Sequence, residues 1–353
     1  MFSLILVENS LLNSVISVKY YQSFNKGNLY CSGTVFYNET TLIIIGNDGW
    51  NLATNYNFCE GNGTLSNPYL INNLTLTNLG IGYCIRIRDS DVNFIITNCS
   101  VSNATYGIML INVYNGKLIN NTSYSNHYGV YLENSHNINI SSNFVYSNKK
   151  HGIYTYQSNE NIIVENFVNN NLENAINLEF SNLNKILINR ISYNDVYGLK
   201  ILYFSIKNTV IGNNISYNKD DGIIVGFESN NNNITDNKVL KNAKNGINII
   251  QSDLCDISRN NVSFNYGYGI KLQYSNKNFI SHNYLFGNNY CINEENCVGN
   301  EFKDNFPCFY NEGRFNFRIS GYELFFLVLG FYVSLIILVL NITFKKAHWN
   351  IFY

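Results

Sequence analysis

Apolar residues in this chain recur in short alternating runs, not at helical spacing. Residues 128 to 148, YGVYLENSHNINISSNFVYSN, hold Val130/Leu132, then Ile138/Ile140, then a shorter run around Val145. Alternation with period two turns one face of each run inward. Aligning the chain on a small residue followed by an apolar one gives Cys84-Ile85, Gly107-Ile108, Gly129-Val130, Gly152-Ile153, Ala175-Ile176, Gly198-Leu199, Gly222-Ile223, Gly246-Ile247, Gly269-Ile270 and Cys291-Ile292. The spacings are 23, 22, 23, 23, 23, 24, 24, 23 and 22. Three short strands in each 22- to 24-residue unit, with no helix between them, predict an all-β solenoid of about ten stacked coils. At β-sheet spacing such a rod is about 48 Å long.

Asparagine supplies a second periodicity. Asn98, Asn121, Asn143, Asn166, Asn189, Asn213, Asn237, Asn260 and Asn283 fall at one coil position, and five residues after each come Asn103, Asn126, Asn148, Asn171, Asn194, Asn218, Asn242, Asn265 and Asn288. Stacking the coils places these amides above one another, where each donates and accepts along the stack and caps turn backbone. The register sends Ile108/Leu110, Val130/Leu132, Leu178, Ile201, Val225, Ile249 and Leu272 into the core. It sends Arg86, Arg88, Tyr131, Glu133, Tyr154, Tyr156, Glu179, Lys200, Lys271 and Gln273 outward, since a one-residue slip would bury all those charges.

The repeated small-residue/Ile step, the Asn(x4)Asn pattern and the opening segment GNGTLSNPYLINNLTL (61–76) resemble the right-handed parallel β-helix (pectin-lyase-like) superfamily, with repeats of the NosD and sugar-hydrolase kind. The resemblance spans about 60 to 305. It implies a fold and leaves the chemistry open.

Around this core the sequence divides into an N-terminal segment (1–30), a cap (31–60) containing Trp50, the β-helix (61–305), a linker (306–323), a hydrophobic segment (324–344) and a short tail (345–353). Leu324 to Phe344 is 21 residues without a charge. As a helix it would be about 32 Å long against a hydrocarbon core of about 30 Å, which predicts one transmembrane span. Lys345 and Lys346 just beyond it favour a cytoplasmic C-terminus and an outside β-helix. The first 18 residues make a poor export signal, with no basic start and with Glu8 inside the apolar run. Disulfides among Cys31, Cys59, Cys291, Cys297 and Cys308 would pin the two ends of the rod, Cys31 with Cys59 and two of the other three. Of the many Asn-x-Ser/Thr matches, Asn214 and Asn261 lie one step past the ladder and should face outward, where a glycan is possible.

Composition narrows function mainly by exclusion. Charged residues are 13% and the net charge is −1, with 28 Tyr and 23 Phe and nearly one residue in five Asn. Nothing here offers the basic face that nucleic acid needs. Relatives in the superfamily use adjacent aspartates with a His-Gly, which Asp220-Asp221 and His151-Gly152 resemble. Those two sit three coils apart, about 14 Å, out of hydrogen-bond reach. Asp195, Asp220 and Asp221 remain candidates for acid catalysis on neighbouring coils, although that column also carries lysines and tyrosines, as a solvated corner would. No grouping suits calcium, and His127, His136, His151 and His282 with Met1 and Met109 form no copper motif, so no cofactor or metal is expected.

Surface recognition survives. Tyr131, Glu133, Tyr154, Tyr156, Asn177 and Glu179 gather on one outer face, where rings and polar groups suit a sugar. Met109, Ile111, Leu202, Ile224 and Ile250 on that face suit a protein contact instead. The expectation is therefore a membrane-anchored, non-enzymatic β-helix that binds a glycan or a surface protein. The alternatives are a polysaccharide hydrolase or lyase, or a NosD-like accessory factor of a membrane complex.

Overall fold

A computed structural model describes residues 34–307. Within them the chain winds as a parallel β-helix of three sheets, with 12, 12 and nine strands. Successive strands of a sheet lie one coil apart: Val130 pairs with Ile108 below and Ile153 above. Only the first rung of two sheets is antiparallel, where Thr34–Tyr37 meets Leu42–Ile45 and Cys59–Glu60 meets Tyr69–Asn72. All the residues expected in the core are buried at 0–1% exposure. Alternation thus sorted the two faces correctly. The branched Ile and Val that fill the interior are the residues that fit a pleated, close-packed surface.

The small residue that starts each first-sheet strand has a steric cause. A Cβ added to Gly152 would lie 2.5 Å from Val168 Cγ1, 2.6 Å from the Ala175 carbonyl and 2.9 Å from Asn171 Nδ2. Most coils therefore use glycine at this point, where a core side chain, the next coil and a ladder amide converge.

The ladders are built as expected from their second rung onward. Asn143 donates its amide to Asn166 Oδ1 at 3.0 Å and to the Leu118 carbonyl at 2.8 Å, and its backbone N–H also reaches Asn166 Oδ1 at 2.9 Å. The second ladder repeats this from Asn148 to Asn171 at 2.9 Å. Asn98 and Asn103 are corrections. Both are exposed, with positive φ of 51° and 57°, and the buried ladder positions of that coil belong to Cys99 and Ala104, whose N–H groups donate to Asn121 and Asn126. Asn tolerates this left-handed turn position, so at this coil the spacing alone misplaced the register by one residue.

Two further ladders went unread. Ser135, Ser158, Ser181, Ser205, Ser229, Ser252 and Ser275 are buried, each N–H from Ser135 to Ser252 donating to the next hydroxyl at 3.0–3.2 Å. Three residues on, Asn161, Asn184, Asn208 and Asn232 form a third amide column. The repeated Ser-x-x-Asn five residues before the first ladder was the available signal.

At the N-terminal end the helix Gly46–Ala53 places Trp50, fully buried, against Tyr69 and Phe94 at 5.2 and 4.9 Å, with its indole N–H on Ser90 Oγ at 2.9 Å. A large indole with its polar handle satisfied covers the first coil's apolar edge. The expected Cys31–Cys59 disulfide is also a correction: Cys59 is a free, buried thiol, pushed up to about 12 by burial and then by Glu60. Cys297 is free as well, whereas Cys291 is disulfide-bonded. Cys31, Cys308 and the expected span at 324–344 lie outside the described residues. Among the described residues no helix is long and apolar enough to cross a membrane.

Asn166 accepts from Asn143 and donates to Asn189 Oδ1, Ile140 O and Val164 O. Asn166→Ala would leave buried backbone groups unpaired and is expected to destabilise by about 2–4 kcal/mol. Exposed Lys117→Ala should stay within about 0.5 kcal/mol. Urea unfolding with unchanged slope checks this; equal midpoints for the two variants would show that the ladder is dispensable.

Candidate functional site

The outer face of the first sheet carries three columns of side chains. The column just before the glycines begins Tyr83, Tyr106 and Tyr128, stacked at 5.6 and 5.2 Å with interplanar angles of 18° and 10°. It continues through His151, Asn174, Tyr197 and Asp221. Strand pairing sets the other two: Tyr131 beside Tyr154, Asn177 and Lys200, and Glu133 beside Tyr156, Glu179 and Leu202. The structure therefore brings together all six residues expected for recognition. It does not leave the tyrosine faces open, because Tyr131 stands edge-on to Tyr106, Tyr128 and Tyr154. What these rings offer a ligand is chiefly their edges and hydroxyls.

Glu179 is the centre of the polar cluster. It accepts from the Tyr154 hydroxyl at 2.7 Å, from Lys200 Nζ at 2.9 Å and from Asn177 Nδ2 at 3.2 Å. Burial alone would raise its pKa, but the bonds from Tyr154 and Lys200 outweigh burial and hold it below the usual carboxylate value. Burial pushes both phenols well up, aided at Tyr154 by the bond to Glu179 and at Tyr131 by Glu133, whose carboxylate accepts from Tyr131 at 3.3 Å.

His151 and Lys200 complete the cluster and were missed as members of it, His151 because its column was read as a solvent corner. His151 is lowered to about 4, first by burial and then by Lys200, with Glu179 opposing. Its Nδ1 lies 3.2 Å from Glu173 Oε2, close enough for an ion pair, yet the same atom accepts the Asn174 N–H at 3.4 Å. The lowered pKa and the accepting Nδ1 identify a neutral ring.

One atom in the cluster is unmet. Asn177 is fully buried and its Oδ1 has no partner. Rotating the amide would turn oxygen toward the Glu179 carboxylate, so the assignment is fixed by charge. A buried acceptor without a donor costs about 1–3 kcal/mol, and this oxygen, shut off from solvent, is closed to a ligand in the structure as it stands. Asn139 and Asn233 on the second sheet also have unpaired oxygens, but those side chains are half-buried and sit in no such cluster.

The candidate aspartates separate. Asp195 pairs with Lys219 at 2.9 Å and Asp220 with Lys244 at 2.7 Å, as surface ion pairs of a turn corner. Asp221 is buried at 3% exposure and accepts from Asn245 N, Asn245 Nδ2 and Asn248 Nδ2 at 2.7, 2.8 and 2.8 Å. None of these three aspartates is free to serve as one of a carboxylate pair. Met109, Leu202 and Ile224, expected as exposed apolar contacts, are a correction: all three are buried at 4–6% exposure. At Leu202 the cause is visible, since its Cδ2 lies 3.0 Å from where a Cβ on Gly226 would stand, and the side chain occupies that space.

A separate hollow of about 490 Å³, lined in part by Tyr37, Tyr56, Phe58 and Leu74, lies in the first coils. It has no ionisable group but two phenols.

Residues 51–219 match the model of the NosD family, described as periplasmic copper-binding protein, and residues 189–306 match the right-handed β-helix region. No curated protein matches the chain. Among solved structures, the periplasmic alginate epimerase AlgG is 15% identical over 67% of this chain and 85% of its own, with a TM-score of 0.49. The AlgE4 A-module, a mannuronan C-5 epimerase of Azotobacter vinelandii, is 13% identical over 68% and 79%, with a TM-score of 0.49. The Dettilon tailspike protein is 15% identical over 66% of this chain and 54% of its own, with a TM-score of 0.52. At these identities the likeness concerns the fold alone. Copper does not fit the residues present: among the described residues no three of His, Cys, Asp and Glu converge, and four of the thiols, Cys59, Cys84, Cys99 and Cys255, are buried. The rings of His136 and His151 are lowered by burial, and each accepts a backbone N–H at Nδ1.

Asp221 is raised chiefly by burial, with Asp220 adding and the amides of Asn248 and Asn245 opposing. A folded-state pKa above the unfolded one means that the native state holds the proton longer. Stability therefore falls as pH rises from about 4 through the folded value and stays lower above it. Asp221→Asn, with Asn248 free to rotate its amide, should be at least as stable as wild type at neutral pH and lose that advantage in acid. Melting curves across pH check this, and a variant markedly weaker at neutral pH would show that the charge itself is needed.

Proposed function

From the premise that this chain belongs to the right-handed parallel β-helix superfamily, we propose that the outer face of its first sheet is a carbohydrate-binding surface. The observation that carries the reading is the part-exposed polar and aromatic cluster of Glu133, Tyr154, Tyr156, Glu179 and Lys200 on one flat face. Sugar hydroxyls donate to the Glu133 and Glu179 carboxylates and to the phenol oxygens of Tyr131 and Tyr154, whose own O–H groups are spent on those carboxylates. Beyond Glu179 and Leu202, Phe180, Tyr203, Phe204 and Phe227 form a ridge of partly exposed rings, stacked at 5.3–6.3 Å. That ridge gives a sugar's apolar edge a wall.

Binding suits this site better than turnover. Glu179 is held ionised by three donors, and Asp221 has both oxygens engaged by amides. A general acid needs a proton to give and a path to the substrate; Glu179 is held ionised, and Asp221, although raised by burial, is 3% exposed with both oxygens engaged. We place the β-helix outside a membrane, held by the apolar segment 324–344, on the strength of the sequence. The match to the NosD model favours a second reading, an accessory factor of a membrane complex, and a partner that co-purifies with the full chain through that segment would support it.

A glycan array with purified protein, followed by titration of each hit, tests the main reading. Glu133→Ala and Tyr154→Phe should each weaken binding about 3- to 10-fold, the worth of one hydrogen bond. No bound carbohydrate, or full affinity in both variants, removes it. For the membrane placement, external protease on intact cells should digest the β-helix; complete protection there, with digestion after lysis, would reverse the orientation.

A further inference from the structure

We propose that the glycan recognised by this face is uncharged and that polyuronates are rejected. The inference rests on the carbohydrate reading above and narrows it to a substrate class.

Its first support is charge. Over the central coils, from Tyr128 to Ile250, the three outer columns contain four charged side chains: Glu133, Glu179, Asp221 and Lys200. The single cation is already committed, with Lys200 Nζ 2.9 Å from Glu179. His151 adds no positive charge near neutral pH, being lowered to about 4. At the flanking corner Lys219 and Lys244 are matched by Asp195 and Asp220, while the exposed Lys149 and Lys150 stand beyond the columns, Lys150 over the Tyr128 ring with its ammonium on that hydroxyl at 3.3 Å. A polyuronate brings one carboxylate per sugar, each calling for an Arg or Lys partner. On the sheet itself it would meet the carboxylates of Glu133 and Glu179 and no uncommitted cation over these coils.

The second support is the kind of bond left unmade. Asn177 Oδ1 and Asn248 Oδ1, three coils apart in one column, are unpaired but closed to solvent, so the acceptor within a ligand's reach is the part-exposed Glu133 carboxylate, which has a single hydrogen bond, from Tyr131. Its remaining lone pairs lack donors. Hydroxyls supply them, whereas an ionised carboxylate is acceptor-only and would add to the deficit. Two independent properties, sign of charge and direction of hydrogen bonding, thus select the same ligand class.

The test uses the full chain and four probes: a neutral β-glucan, a neutral galactomannan, polygalacturonate and alginate. Affinity gel electrophoresis is run with a chelator and with calcium ions, since calcium can bridge two anionic surfaces. A neutral probe should retard the protein in both conditions. The polyuronates should bind at least about 10-fold more weakly, as like-charge contact costs a few kcal/mol. Glu133→Lys should narrow that gap by strengthening polyuronate binding, and Lys117→Ala, exposed on the second sheet away from this face, should leave the neutral probe unchanged. Polyuronate binding equal to or tighter than neutral binding, with or without calcium, overturns this inference and leaves the carbohydrate reading standing. No retardation by any probe overturns both.

Discussion

Every coil of this rod must turn three times, and at each turn the backbone leaves the sheet while still buried. Its N–H groups then have no strand partner, and an unpaired buried N–H is costly. Stacked side chains solve the problem: an Asn oxygen takes the N–H of the neighbouring coil, and its amide reaches a carbonyl and the next Asn, as Asn189 does with Asn213 Oδ1 and Ile163 O at 2.9 and 2.8 Å. Three amide columns and a serine column do this for much of the described length. The asparagine-rich composition is the chemical consequence of a fold with many buried turns and few charges.

The same requirement governs where the repeat can vary in length. The step from Glu179 to Leu202 is 23 residues, but from Ser181 to Ser205 it is 24, so one residue enters between strand and ladder. It enters as Tyr203-Phe204, both at φ of 56°, and the next coil repeats the device with Phe227-Glu228 at 53° and 62°. The ladders stay aligned because the extra residue bulges into solvent at a left-handed turn. Positive φ is unusual for bulky residues, and the coils above and below hold it in place through Phe204 N–H on the Phe227 carbonyl at 3.0 Å. The ridge of rings beside the proposed binding face thus arises from accommodating an insertion without breaking the ladder.

Much of this was legible in the sequence because the ladder positions are both spaced and chemically uniform. Register failed at Asn98 and Asn103, where Asn occupies a turn one residue before the buried position and composition gave no warning. The core was legible from alternation; the burial of Met109, Asn177 and Ile224 was not, since period two separates inside from outside and says nothing about how deep an outer position sits beneath its neighbours. Asp220 and Asp221 look equivalent in the sequence. One is a surface partner of Lys244 and the other a buried carboxylate held by amides, because consecutive residues at a corner point in different directions. The six residues of the outer patch were found, but His151 and Lys200 were not joined to them: such a neighbourhood is assembled across coils.

Asparagine also separates structure from function within one residue type. In the first two ladders each buried oxygen receives a backbone N–H from the adjacent coil, and nearly always a side-chain N–H as well, so those amides are closed to any ligand. Asn177 and Asn248 are just as buried, yet they stand on the outer face, where strand backbone has already paired with strand backbone and has no N–H to spare. Their nitrogen atoms are spent on Glu179 and Asp221, fixing which way the oxygens face. A fold that otherwise satisfies its amides so thoroughly has carboxylates orient these two so that each oxygen stays unpaired beneath the face. That orientation couples the acids to the unpaired oxygens, and with the phenol O–H groups spent on Glu133 and Glu179 it leaves this face short of hydrogen-bond donors.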